Sequence, residues 1–185
     1  MTTRKLVVAA LLAAFCVPAS ASVMVIGNSS ARLCFEAADS PLNPDSDDMN
    51  RCNMALRDEP LSREDMVATY VNRGILRLRN GQVVQAIVDF DTAIGMDPSQ
   101  PEAYLNKGAA LMRQDNAQGA LPLFTASLER NTERPELAHY GRAIAYETLG
   151  NAREAYNDYR RASELRPDWQ EPLVELRRFR VVQRR

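Results

Sequence analysis

The sequence predicts an all-α fold of stacked, antiparallel helix pairs, and three observations carry that prediction. The first is a period. "VNRG" at 71–74 returns as "LNKG" at 105–108, thirty-four residues on, and a third copy follows with one extra residue in the loop before it. Self-similarity at such a period marks architectures built by stacking one small unit. The second is a polar turn inside each copy: "RNGQ" at 79–82, "RQDN" at 113–116 and "LGNA" at 149–152. Gly, Asn and Asp at these places end one helix and admit the next. The third is a shared register of small and aromatic residues, with no credible strand anywhere between them.

That register can be followed in order. Gly74 aligns with Gly108 and Ala143, and Ala86 with Ala120 and Ala155. Phe90 aligns with Phe124 and Tyr159, and Ala93 with Ser127 and Ala162. Small residues on facing helices let the backbones approach, and the aromatic rings fill the space between units. One unit cannot bury its apolar face alone, so the copies must stack. Tyr70, Tyr104 and His139 stand near the start of the three copies, and Pro98 and Pro167 close the first and third. Together these residues resemble the tetratricopeptide repeat (TPR) family over residues 67–168, in units 67–100, 101–134 and 136–168. The resemblance implies a right-handed α-solenoid of antiparallel helix pairs. The chain departs from the family pattern at His139, at Arg77 and at Thr132, which replaces the closing proline. His139 is expected to pack in the core, and Asn151 with Glu154 to form a capping box. Pro122, past the first turn of its helix, is expected to bend it at a cost of roughly 3 kcal/mol.

The two ends need separate treatment. Residues 1–21 read as a signal peptide: Arg4 and Lys5, then the apolar "LVVAALLAAFCV", then "PASA" with a cut expected after Ala21. The apolar stretch is too short to span a bilayer comfortably. Export leaves Cys34 and Cys52 as an even pair, which suggests one disulfide; two buried free thiols are the alternative. Residues 22–66 read as a degenerate fourth repeat, with helices over 31–38 and 47–59 that place the two cysteines on facing helices. Residues 169–185 read as a capping helix and basic tail, with Leu173, Leu176 and Phe179 on one side.

Composition limits the function. The 185 residues are 45% hydrophobic and 25% charged, as in a folded domain. Without Arg4 and Lys5, 21 basic residues face 24 acidic ones, a net charge of −3 that argues against a nucleic-acid partner. A single histidine, no phosphate-binding loop and no metal-ligand spacing leave no catalytic, cofactor or metal motif. The reading is therefore a non-enzyme that works through a surface.

The TPR resemblance implies which surface. First helices of such repeats line a concave groove, here with Val71, Asn72, Ile75 and Arg79, then Leu105, Asn106, Ala109 and Arg113, then Leu137, Tyr140, Ile144 and Glu147. Asn72 and Asn106 stand where family members that bind extended peptides hold the peptide backbone, since an amide both donates and accepts. The third copy has Gly141 instead. Ala68, Glu102 and Leu137 occupy places that are basic in members capturing a terminal carboxylate, so an apolar peptide or helix is the expected partner. Arg73 and Lys107 are expected to be helix-surface charges. The chain most resembles small exported TPR proteins of Gram-negative bacteria. The expected role is a periplasmic or secreted interaction scaffold or adaptor, with a self-associating structural component of the cell envelope as the alternative.

Overall fold

The structure, a computed structural model, describes residues 21–25, 29–40 and 42–179. Apart from Ala21, the expected signal peptide lies outside them, as does the end of the basic tail at 180–185. The described residues form helices and no strand: α1 (Ser30–Asp39), α2 (Ser46–Asp58), α3 (Arg63–Arg79), α4 (Val83–Met96), α5 (Pro101–Met112), α6 (Ala117–Glu129), α7 (Pro135–Thr148), α8 (Ala152–Leu165) and α9 (Gln170–Leu176). Their starts carry ordinary helix chemistry. The Asp45 and Asp48 side chains cap α2 reciprocally, and Ser62 caps α3 through the Asp65 N–H. Proline opens α5 and α7, where its missing N–H costs nothing. The capping box expected at Asn151 does not form. The Asn151 N–H already donates to the Tyr146 carbonyl at 2.8 Å, so Glu154 cannot receive it. Helix α6 continues through the exposed Pro122 to Glu129.

Each even helix packs on the odd helix before it, and α1, α3, α5 and α7 also touch one another in series. The result is an all-α solenoid whose odd helices form one layer. Its three internal turns share one geometry. Gly81, Asp115 and Gly150 have φ of 74°, 57° and 82°. The next N–H in each case returns to the carbonyl five residues back: Gln82 to Arg77, Asn116 to Leu111, Asn151 to Tyr146. This left-handed residue and its backward bond end the first helix and aim the second.

Between the layers, small residues decide the spacing. A Cβ on Gly74 would run into the Phe90 ring. On Gly108 it would lie 2.9 Å from Phe124, and on Gly141 2.6 Å from the same ring. Phe124 is thus wedged against α5 and α7 together. At 141, in the register of the two asparagines, the ring lies in the space a side chain would enter.

At the N-terminal end, α1 and α2 are joined by the Cys34–Cys52 disulfide, with both cysteines fully buried. Ala38 and Ala55 are buried beside the pair, so the covalent bond stands where other repeats place a ring. A cross-link closing a loop of this length contributes about 3 kcal/mol in the chain-entropy account. At the other end α9 stops at Leu176, earlier than the sequence suggested. Trp169 caps the stack by tilting against Tyr140 at 4.7 Å between centroids, and Phe179 lies 5.8 Å from Tyr156.

Two buried carboxylates correct the reading of the surface charges. Asp89 is 1% exposed and takes both Arg73 (2.7 Å) and Arg77 (2.8 Å). Arg73 is therefore a half-buried clamp on Asp89 and not a free surface charge, and it also donates to the Asn53 side chain of α2 at 3.0 Å. In the third repeat Asp158 receives Arg142 at 2.7 and 2.9 Å and a His139 ring nitrogen at 2.7 Å. His139, expected as aromatic filling, is a polar partner. Lys107 does face outward, to Asp91 at 2.5 Å.

Candidate functional site

The odd helices bring the expected groove residues together, because positions three and four apart share a helix face. Val71, Asn72 and Ile75 on α3 sit beside Leu105 and Asn106 on α5, and Tyr140 and Ile144 on α7. All seven are buried, Asn72 completely. An open groove would leave them wet, so something covers them. Trp169 covers Tyr140. Burial pushes the Tyr140 phenol above its ordinary range, with Glu175 adding to the effect, so the hydroxyl stays neutral and is no acid or base at physiological pH.

Helix α1 packs on α3 beside Val71 and Ile75, and the chain's own segment Ala21–Val25 adds to the cover. Asn72 holds Val23 from both sides: its Oδ1 accepts the Val23 N–H at 2.9 Å, and its Nδ2 donates to the Val23 carbonyl at 2.7 Å. Asn106 Nδ2 donates to the Ala21 carbonyl at 3.2 Å and to the Glu102 carbonyl of its own helix at 2.8 Å. Ala21 and Val25 are each 3% exposed, whereas Met24 is 71% exposed. Val23 is half-buried between them and packs on the neighbouring apolar clusters, so residues 21, 23 and 25 meet the layer as in an extended chain lying on a surface. Ala21 joins the apolar cluster of Leu105, Leu137, Tyr140 and Ile144. Val25 joins Ala31, Ala55 and Ala68, with Val23 packed on the same cluster. Ser22 faces away and donates to Asp39 at 2.8 Å.

The polar ends of the groove are spoken for. Arg79 donates to the carbonyls of Ala38 (2.7 Å) and Ser40 (2.7 Å), at the C-terminal end of α1. Arg113 donates to the Leu78 carbonyl near the end of α3. Each arginine thus satisfies carbonyls a helix end leaves open, where positive charge is favoured. Glu102 is buried and accepts from Thr132 Oγ1 (3.1 Å) and the Glu133 N–H (3.0 Å). A cavity of about 590 Å³ lies beside the segment, lined in part by Ala21, Ser22, Asp39, Glu102 and Arg134.

The amides and apolar residues expected from the sequence lie together in this layer, whereas Ala21, Val23 and Val25 were not among the expected residues. The only local signal was the alternation of small and β-branched residues just past the expected cut. Among the described residues, no three His, Cys, Asp or Glu side chains are grouped to hold a metal, and no helix is long and apolar enough to cross a membrane.

A helical repeat array with amides lining its inner layer is a protein-binding scaffold in architecture. The family model for tetratricopeptide repeat matches residues 71–135 and again 110–170, together more than half of the chain. The chain belongs to the tetratricopeptide repeat family. No curated protein matches it. Among solved structures it is similar to the first TPR of Spaghetti (RPAP3) bound to the HSP90 peptide SRMEEVD. That likeness has 25% identity and a TM-score of 0.57, over 60% of this chain and 87% of that one. The first TPR domain of human RPAP3 matches at 26% identity and TM-score 0.57 over the same shares. MamA from Desulfovibrio magneticus RS-1 shares the fold at 21% identity and TM-score 0.62, over 82% of this chain and 84% of that one.

Proposed function

We propose that this protein is a non-enzymatic interaction scaffold that holds an extended segment of a partner protein in the layer formed by α3, α5 and α7. One observation carries the reading: Asn72 engages both the N–H and the carbonyl of one backbone residue. An amide used that way reads main chain and not a particular side chain. The related Spaghetti domain supports it, since that structure contains a bound peptide. The partner differs in chemistry, however. Ala68 and the internally bonded Glu102 offer no cation for a terminal carboxylate, so the partner segment is apolar. The periplasm suits the chain: a signal-like leader precedes it, and its disulfide persists in an oxidising compartment.

The test is a cross-linked pull-down from the native periplasm with the wild-type chain and with Asn72→Ala/Asn106→Ala. The double variant should lose the partner that the wild type retains. Equal capture by both chains would reject the groove as the binding site.

A further inference from the structure

Ala21–Val25 do to the groove what a bound peptide would do. They donate and accept at Asn72, meet Asn106, and bury Ala21 and Val25. The Asn72 contact is to Val23, on the C-terminal side of the expected cut after Ala21, so removal of the leader leaves that contact in place. We propose that Ser22–Val25, the part of this segment that remains after the cut, is an internal occupant of the groove that a partner must displace, and that the displacing partner is an extended segment with β-branched side chains at alternate positions. The proposal rests on the groove's being a peptide site.

The specificity follows from what the segment touches. Val25 sits over Ala31, Ala55 and Ala68, a floor of methyl groups that leaves room for a branched aliphatic side chain. Ser22 and Met24 lie on the outward side, so the intervening residues are less constrained. The occupant is held by few bonds and much of its hold is apolar contact, which another chain of like shape can reproduce. A segment tethered to its own groove competes at an effective concentration on the order of millimolar. A partner therefore binds the free groove more tightly than it binds the native chain.

The probe is a fluorescent acetyl-ASVMV-amide peptide, titrated against the exported wild-type chain, Val23→Pro, and Val23→Pro/Asn72→Ala. Proline removes the N–H that Asn72 accepts, and position 23 lies outside every helix. The expected result is at least about tenfold tighter uptake by Val23→Pro than by wild type, given the tether, and loss of uptake in the double variant. Equal affinity of wild type and Val23→Pro would overturn the internal occupant while leaving the groove a peptide site. Absence of uptake by all three chains would overturn the peptide site itself. Amide exchange supplies a measurement that needs no substitution at 23. The Val23 N–H should exchange slowly in wild type and fast in Asn72→Ala, and free-chain exchange in wild type would overturn the proposal. A wild-type dimer whose Val23 protection vanishes on dilution would also overturn it, by assigning the segment to a second copy.

Discussion

In the first repeat, Arg73 and Arg77 close on the buried Asp89; in the third, Arg142 and His139 close on the buried Asp158. The second repeat puts a half-buried Leu123 at that register, and its Lys107 turns outward to Asp91. It departs twice more, with Asp115 at the left-handed turn where the others have glycine, and with Pro122 inside α6. One frame thus accepts an ionic or an apolar filling at the same place. This is physically reasonable, because a well-packed apolar substitute often equals a buried ion pair, whereas half a pair is costly. The difference is not a defect of the second repeat but a second solution to the same gap.

The comparison can be broken most severely at Asp89. Asp89→Ala leaves two arginines half-buried without their carboxylate and should cost about 3 kcal/mol of unfolding free energy in urea titration. A loss below about 1 kcal/mol would mean that the clamp is idle. Asp158 gives a smaller, pH-dependent effect. Burial opposes its ionisation, but hydrogen bonds from His139 and Arg142 outweigh that and hold its carboxyl below the usual range. A lowered folded value means that the contribution is present above the unfolded value of about 3.9 and fades as pH falls through the folded one. The stability gap between wild type and Asp158→Asn should therefore be wide at neutral pH and narrow in acid. A gap of constant width from neutral pH down to about pH 2, well below the unfolded carboxyl value, would contradict the assignment. The smallest effect is expected at Asp115. A non-glycine residue in the left-handed region is disfavoured, so Asp115→Gly should raise stability by up to about 1 kcal/mol. Thermal unfolding of that variant should shift upward, and a downward shift would show that the Asp115 side chain compensates for its backbone.

The fold was legible because it repeats. Three copies of Gly, Ala and aromatic at fixed offsets specify contacts between neighbours, and such contacts are local in sequence. The cysteine pair was legible from its even number once a leader was expected. The clamp was legible in principle: Arg73 to Asp89 and Arg142 to Asp158 are both sixteen residues apart. It was missed because Arg73 was grouped with Lys107 as a surface charge. The placement of Ala21–Val25 was not legible. Its contacts reach 49 and 85 residues along the chain, and no periodic pattern reports a partner that distant. The asparagines were therefore expected to meet a partner's backbone, while their contact with the chain's own Ala21 and Val23 was not expected.

Phe124 carries one more consequence. By sequence it belongs to the unit 101–134, yet its ring rests on glycines of two first helices, Gly108 in that unit and Gly141 in the next. A block excised or duplicated at the sequence boundary would separate the ring from one of its two seats. It would then face whatever residue the new neighbour brought to that position, and the ring would have to shift to admit a side chain there. The heritable module of this array is therefore offset from its apparent repeat. It runs from a second helix into the following first helix, and recombination that respects the obvious thirty-four-residue boundaries would cut it in the middle.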